Sequence, residues 1–326
     1  MIFETGDEDR IAAFLEDLKK KDLLKTRSVE KYSFGSILRS FYGLPRSVPL
    51  HVKSQHGVCL WEEIPPSEIN ARQRVMLVFS RRWLTKWQAA KTGKLVIGVP
   101  NPFLLYKRKA GARLLPNAAG SVFFYAHSTA KELAETNKLA LIDALKNIPE
   151  DFGECLVAMH YVDMMRGEHA PFLDAGFKIF CAGHYSDREF VSRFYEMLSS
   201  RRFAISNAIG SHYFYSIEHG LPFSFIGAPP EYRNGGYDNE TWREIQRAHE
   251  HIARVYRIRS GFIREISESQ LQSSKDELGA DLQVSHVGFW MAVAWAALCE
   301  VCSRVSGWLS RWLKKVNRFG SGQRDA

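Results

Sequence analysis

Histidine at the ends of apolar runs is the recurrent chemical feature of this chain. The segment Ser54-Gln55-His56-Gly57 follows the extended stretch Pro49-Leu50-His51-Val52-Lys53. A strand that ends in a small, polar, glycine-containing turn presents its histidine at the carboxyl edge of a sheet, where open α/β folds bind ligands. An imidazole there can take a proton from a hydroxyl nucleophile near neutral pH, which makes His56 a candidate catalytic base; a turn histidine bonded to nearby backbone is the other reading. Tyr125-Ala126-His127-Ser128-Thr129 repeats the arrangement. Ser128 and Thr129 are expected to open a helix near Ala130, where free backbone N–H groups suit a phosphate; helix capping alone is the other reading.

The third motif is Ser206-Asn207-Ala208-Ile209-Gly210-Ser211-His212, followed by Gly220-Leu221-Pro222. Short polar side chains and Gly210 allow a ligand phosphate close to the backbone at a helix start, with Ser211 and His212 as further donors; a helix cap followed by an ordinary Gly-x-Pro turn is the other reading. His160 and His184 also sit at the ends of apolar runs, where each taken singly reads first as a hydrogen-bonded turn residue. His56, His127, His160 and His184 are therefore expected to converge on one sheet edge or interdomain cleft that binds phosphate esters. They lack metal-ligand spacing, no Asp-x-Asp accompanies them, and Cys299-x-x-Cys302 has no second pair, so no bound metal is expected. Glu231–Gly236 is expected to form a basic loop over the ligand.

The elements that must position these residues read as alternating short apolar runs and helical patterns. Ile11, Phe14, Leu15 and Leu18 mark an amphipathic helix near the N-terminus. Val75–Phe79, Leu95–Val99, Val122–Tyr125, Cys155–His160, Phe177–Cys181, Phe203–Ser206 and Phe223–Ile226 are strand candidates. Helices are expected over Arg81–Ala90, Thr129–Leu145, Val162–Asp174, Asp187–Ser200, Gly210–His219 and Glu240–Ile263. The alternation predicts an α/β chain of two Rossmann-like doubly wound domains. Arg108–Gly120 is the linker candidate, giving an acceptor-side domain over 1–115 and a nucleotide-binding domain over 116–265. Residues 266–326 comprise a polar connector, Ser267–Gln283, and a terminal helix. That helix begins with an apolar run of about 13 residues, short of the roughly 20 needed to span a bilayer. Trp308 and Trp312 then alternate with Arg304, Arg311, Lys314, Lys315 and Arg318, which fits a helix lying in a membrane interface over 287–318; packing on protein is the alternative.

Composition sets the class. The chain has 326 residues, 45% hydrophobic and 25% charged, values that exclude wholesale disorder. A formal charge of +8 favours anionic partners. Five scattered cysteines do not form a disulfide framework, and no basic, apolar leader opens the sequence, so a cytoplasmic location is expected. Basic and aromatic residues are dispersed, so nucleic acid is not an expected partner.

With the Gln-His-Gly turn in one half, the His-Ser-Thr turn in the other, and Ser206–Ser211 ahead of Gly220-Leu221-Pro222, residues 50–235 resemble GT-B glycosyltransferases of bacterial capsule and lipopolysaccharide synthesis. The resemblance implies that Ser206, Asn207, Gly210 and Ser211 line the donor nucleotide. Gln55-His56-Gly57 is similar to the His-Gly turn of capsule and teichoic-acid polymer transferases, which implies His56 as base. His127-Ser128-Thr129 is similar to the His-Pro motif of bacterial sialyltransferases, with Ser128 in place of proline, and implies that His127 serves the leaving phosphate. Members using UDP- or GDP-sugars carry a glutamate for the ribose diol where Tyr215-Ser216 stands here, so the implied donor is CMP-linked. The Asp/Glu-Asp-Gly motif of many sialyltransferases is not evident, which leaves the base to His56 or to a carboxylate such as Glu62 or Glu63.

These readings predict a metal-independent glycosyltransferase, without a cofactor, at the inner face of the cytoplasmic membrane. Its partners would be a nucleotide sugar and a glycan or lipid-linked acceptor. A polyol-phosphate transferase of teichoic-acid type and a non-catalytic binding module are the alternatives.

Overall fold

Runs of consecutive buried apolar residues build two parallel sheets. The computed structural model describes residues 1–23, 27–60, 62–129, 131–240, 242, 243, 245–247, 250 and 261–321, with side chains as far as 312. From the N-terminus come β1 (Ile2–Phe3), α1 (Glu8–Asp22), a 3-10 turn at Ser28–Ser33, α2 (Phe34–Tyr42) and β2 (Lys53–Ser54). Next are α3 (Pro66–Ile69), β3 (Val75–Val78), α4 (Arg81–Ala89), β4 (Leu95–Gly98) and α5 (Pro102–Ala110). β2, β3 and β4 pair in that order, all parallel.

After the 111–120 connection come β5 (Ser121–Phe124), β6 (Glu132–Glu135), α6 (Lys138–Lys146), β7 (Cys155–Ala158), α7 (Tyr161–Met165), α8 (Ala170–Asp174) and β8 (Lys178–Phe180). α9 (Phe190–Ser199), β9 (Phe203–Ser206), α10 (Ser211–His219), β10 (Phe223–Phe225) and β11 (Glu231–Asn234) follow, then α11 (Glu268–Glu277) and α12 (His286–Ser321). The larger sheet has the order β1-β8-β7-β5-β9-β10 and is parallel except for β1. Both of its faces are covered, as a doubly wound sheet requires. Val122, Phe124, Leu156 and Ala204 point into a core shared with Val75 and Leu77 of the smaller sheet. The alternate residues Phe123, Val157, Ile179 and Ile205 pack opposite, against Ile11, Phe14 and Leu18 of α1.

Several expected elements differ. The helix placed over Thr129–Leu145 is β6 followed by α6, because Thr129 closes a turn by accepting the Lys131 and Glu132 amides. β6 pairs antiparallel with β11, so Glu231–Asn234 is a strand and not a loop. Gly167, at φ +77°, lies between α7 and α8 where one helix was expected. Within Ser267–Gln283 lies a capped helix: Ser267 and Gln270 form a reciprocal capping box, and Leu271, Ser274 and Leu278 make its inward stripe. The expected helix Glu240–Ile263 falls largely outside the described residues.

Chain order and packing also differ at both ends. β1 adds to β8, so residues 1–22 sit with the larger sheet although they precede the smaller one. Phe289, Val293 and Ala296 of α12 return to the shared core, with Phe289 stacked on Tyr42 at 4.0 Å. α12 thus packs on protein through its first turns and leaves Trp295, Leu298, Val301, Val305, Trp308 and Trp312 exposed.

Candidate functional site

The strand order creates the crevice. From β5 the chain steps outward to β7 and β8, then returns to β9 on the other side of β5. The loops at the carboxyl ends of β5 and β9 therefore diverge, and His127 and Gly210 stand in the gap. His160 follows β7, and His56 approaches from the carboxyl end of β2 in the other sheet. Together with Tyr32, Glu132 and His212 they line a cavity of about 350 Å³. Phe103, Phe190, Phe194 and Tyr215 supply much of its apolar wall, and no lysine or arginine lines it among the described residues.

Hydrogen bonds between the two sheets' loops fix the His56 turn. Gln55 Oε1 accepts the Phe79 amide at 2.9 Å, which ties the turn to the end of β3. Val58 N–H donates to Ser211 Oγ at 2.9 Å, which ties it to the start of α10. Gly57 has φ +69°, and a Cβ there would strike the Ser211 hydroxyl, so both backbone angle and space require glycine.

Two of the histidines are free to react. His56 and His127 face the cavity, and neither ring makes a side-chain hydrogen bond among the described residues. His56 keeps an exposed ring at the cavity, and the protein packed around it, reinforced by Lys31, His127 and Lys53, lowers its imidazole below the ordinary histidine range. His127, also exposed at the cavity, is lowered by the protein packed around it, while Glu132 opposes the shift. Both rings are therefore neutral at pH 7 and able to accept a proton.

The others are held. His160 caps α7 by accepting the Val162 amide at Nδ1, and its Nε2 lies 3.4 Å from Tyr32 Oη. His212 stacks on Phe124 at 4.8 Å and donates Nε2–H to the Ala208 carbonyl at 3.3 Å. Burial pushes His212 down to about 3, so it acts as a wall and not as a cationic phosphate donor.

Tyr32 is the residue that sequence reasoning missed most completely. Its ring lies 4.7 Å from His56 and 4.9 Å from Phe190 between centroids. Tyr32 and Ser33 have φ of +53° and +63°, two consecutive non-glycine residues in the left-handed region. Such strain persists only where surroundings enforce it and is concentrated at functional sites. Here Ser33 Oγ donates to the Asp187 and Arg188 carbonyls and Tyr32 N–H to Tyr185 O.

The remaining expected site residues separate into two groups. Gly210 and Ser211 line the cavity at the start of α10, which sets the positive end of that helix beside it. Ser128, Thr129, Ser206, Asn207 and His184 do not line it. Ser128 is buried, giving its amide to Asp163 and accepting the Ala134 amide. Thr129 is spent on its turn, and with no helix beginning there it offers no helix start to a phosphate. Ser206 Oγ donates to Phe124 O at 2.7 Å and accepts the Ala208 amide, so it joins β5 to β9. Asn207 Nδ2 donates to Ala228 O. His184 is wholly buried, bonded to Ser186 and Asp22.

Glu62 and Glu63 are exposed and away from the cavity; Glu132 is its carboxylate. Placing Glu132 in a helix hid it from sequence reasoning, since its alternation in β6 is what turns it inward.

No family model and no curated protein matches the chain. Among solved structures it is similar to the wall teichoic acid polymerase TagF, at 13% identity and a TM-score of 0.35, over 82% of this chain and 68% of that one.

Proposed function

We propose that this protein is a GT-B-type glycosyltransferase that moves a sugar from a CMP-linked donor to a glycan or lipid-linked acceptor at the cytoplasmic face of a membrane. The observation that carries the reading is the pairing of two unbonded neutral histidines, His56 and His127, with the start of α10 in one cavity between two parallel sheets. His56 takes the proton of the acceptor hydroxyl. His127, beside the α10 amides, serves the leaving phosphate, and Glu132 accepts hydrogen bonds from sugar or ribose hydroxyls. A bound donor phosphate raises both imidazoles toward a useful range, because a nearby anion favours the protonated ring. Lys31 and Lys53, close enough to act on His56, add attraction for that anion. Holding both substrates in the cavity replaces a bimolecular encounter with an oriented one.

α12 supplies the membrane contact. His286–Trp312 is long and apolar enough to cross a bilayer by length and composition, but its first turns are packed on protein, so its exposed face lies along the interface.

The test is transfer from labelled CMP-, UDP- and GDP-sugars to a lipid-linked acceptor by wild type and His56→Ala. Sugar incorporation that His56→Ala abolishes supports the reading. Product that retains donor phosphate would replace it with polyol-phosphate transfer, and no turnover with any donor would remove the enzymatic reading.

A further inference from the structure

At the opposite end of the smaller sheet is a second cavity, of about 570 Å³, with α12 as one wall. The parallel register aligns Lys53 with Met76 and Met76 with Val96, which puts His51, Arg74 and Lys94 in one row two residues earlier. All three line the cavity, with Arg72 and Thr92 beside them and Cys299, Glu300, Ser303 and Ser306 across from them. Its charge is unbalanced. Arg72 pairs with Glu300 at 2.5 Å, and Glu300, which also accepts from Arg304, is the only acidic side chain in the lining among the described residues. Among the described residues, Lys94 Nζ reaches only the Ala71 and Gln73 carbonyls, and Arg74 makes no side-chain hydrogen bond or ion pair. Thr92 Oγ1 is buried with no partner. A solvent-facing guanidinium without a protein partner, an ammonium on neutral carbonyls and an orphaned buried hydroxyl offer one anion three donors.

We propose that this groove binds the phosphate of an anionic lipid headgroup. The proposal rests on the membrane reading of α12. The helix that walls the groove carries Trp295, Leu298, Val301 and Val305 exposed, so apolar surface for acyl chains stands on the helix that faces the sheet-end cations Arg74 and Lys94. The site would fix the orientation of the protein on the membrane from the end of the smaller sheet remote from His56.

The experiment is co-sedimentation of the full chain with phosphatidylcholine vesicles, with and without phosphatidylglycerol, at constant ionic strength. Arg74→Ala removes a side chain without a partner and should leave the melting temperature unchanged; Lys146→Ala, on the exposed end of α6, is the charge-matched control. The expected result is a fall of about fivefold in binding to phosphatidylglycerol vesicles for Arg74→Ala alone. Equal losses in the two variants, or none in either, would overturn the groove while leaving α12 as a membrane helix. Wild type that sediments with no vesicle would overturn the membrane reading itself. An Arg74-dependent thermal shift with soluble glycerol phosphate, without loss of vesicle binding, would overturn the lipid in favour of a free anion.

Discussion

The Tyr32 hydroxyl lies 3.4 Å from His160 Nε2 while the same ring contacts His56, so one side chain joins the histidines of both sheets. Because His160 Nδ1 accepts the Val162 amide, Nε2 carries the proton and Tyr32 Oη accepts it. Tyr32 is thus a positioning residue for His56. Tyr32→Phe keeps the ring and should reduce kcat less than tenfold, whereas Tyr32→Ala should reduce kcat/KM about a hundredfold by freeing His56. Steady-state kinetics with melting temperatures on both variants check this.

Gly57→Ala tests the same geometry from the other side. Its left-handed backbone and the Ser211 hydroxyl both oppose a Cβ. The expected cost is about 1–2 kcal/mol in urea unfolding, with a larger proportional loss of turnover because the His56 turn must shift. Unchanged kinetics would show that the turn does not position the base.

Ser206→Ala should behave as a stability variant. Its hydroxyl satisfies the Phe124 carbonyl and the Ala208 amide inside the sheet. Its loss should cost about 1–3 kcal/mol and leave nucleotide affinity unchanged. A selective loss of affinity would return Ser206 to the donor site.

Stability should fall in acid. Burial depresses His160 and, down to about 3 and about 4 respectively, His212 and His219. The unfolded chain takes these protons near pH 6.5 and the folded chain does not, so the unfolded state binds more protons below that pH. Unfolding free energy is therefore level above neutrality and declines as pH falls from about 6.5. Asp163 and Glu68, both pushed up to about 7 by burial, act in the opposite direction over the same window. Asp163→Asn should consequently steepen the acid decline. Urea titrations between pH 4 and 8 measure both slopes.

Much of this arrangement is legible before the fold is known. Val75–Val78, Val122–Phe124 and Cys155–Ala158 are apolar without interruption because both faces of each strand are covered, and the polar residue after each run falls at the sheet's edge. That is why His127 and His160 could be placed together, whereas His56 is placed by the Gly57 turn that ends the short strand β2. Tyr32 could not, since its position depends on two left-handed residues in a turn that Tyr185, Asp187 and Arg188 hold from far along the chain. Serine roles were equally opaque. Ser206, Ser128 and Ser211 look alike in sequence, and only packing decides that the first two are buried within the larger sheet's loops while the third lines the cavity and accepts the Val58 amide across from the other sheet.

The central claim, a nucleotide site served by His127 and the start of α10, is tested most directly by isothermal titration of CMP into wild type and His127→Ala. Saturable binding by wild type, stronger than for UDP or GDP and weakened at least tenfold in the variant, is the expected result. No heat with any nucleotide, or equal affinity in both proteins, would contradict it.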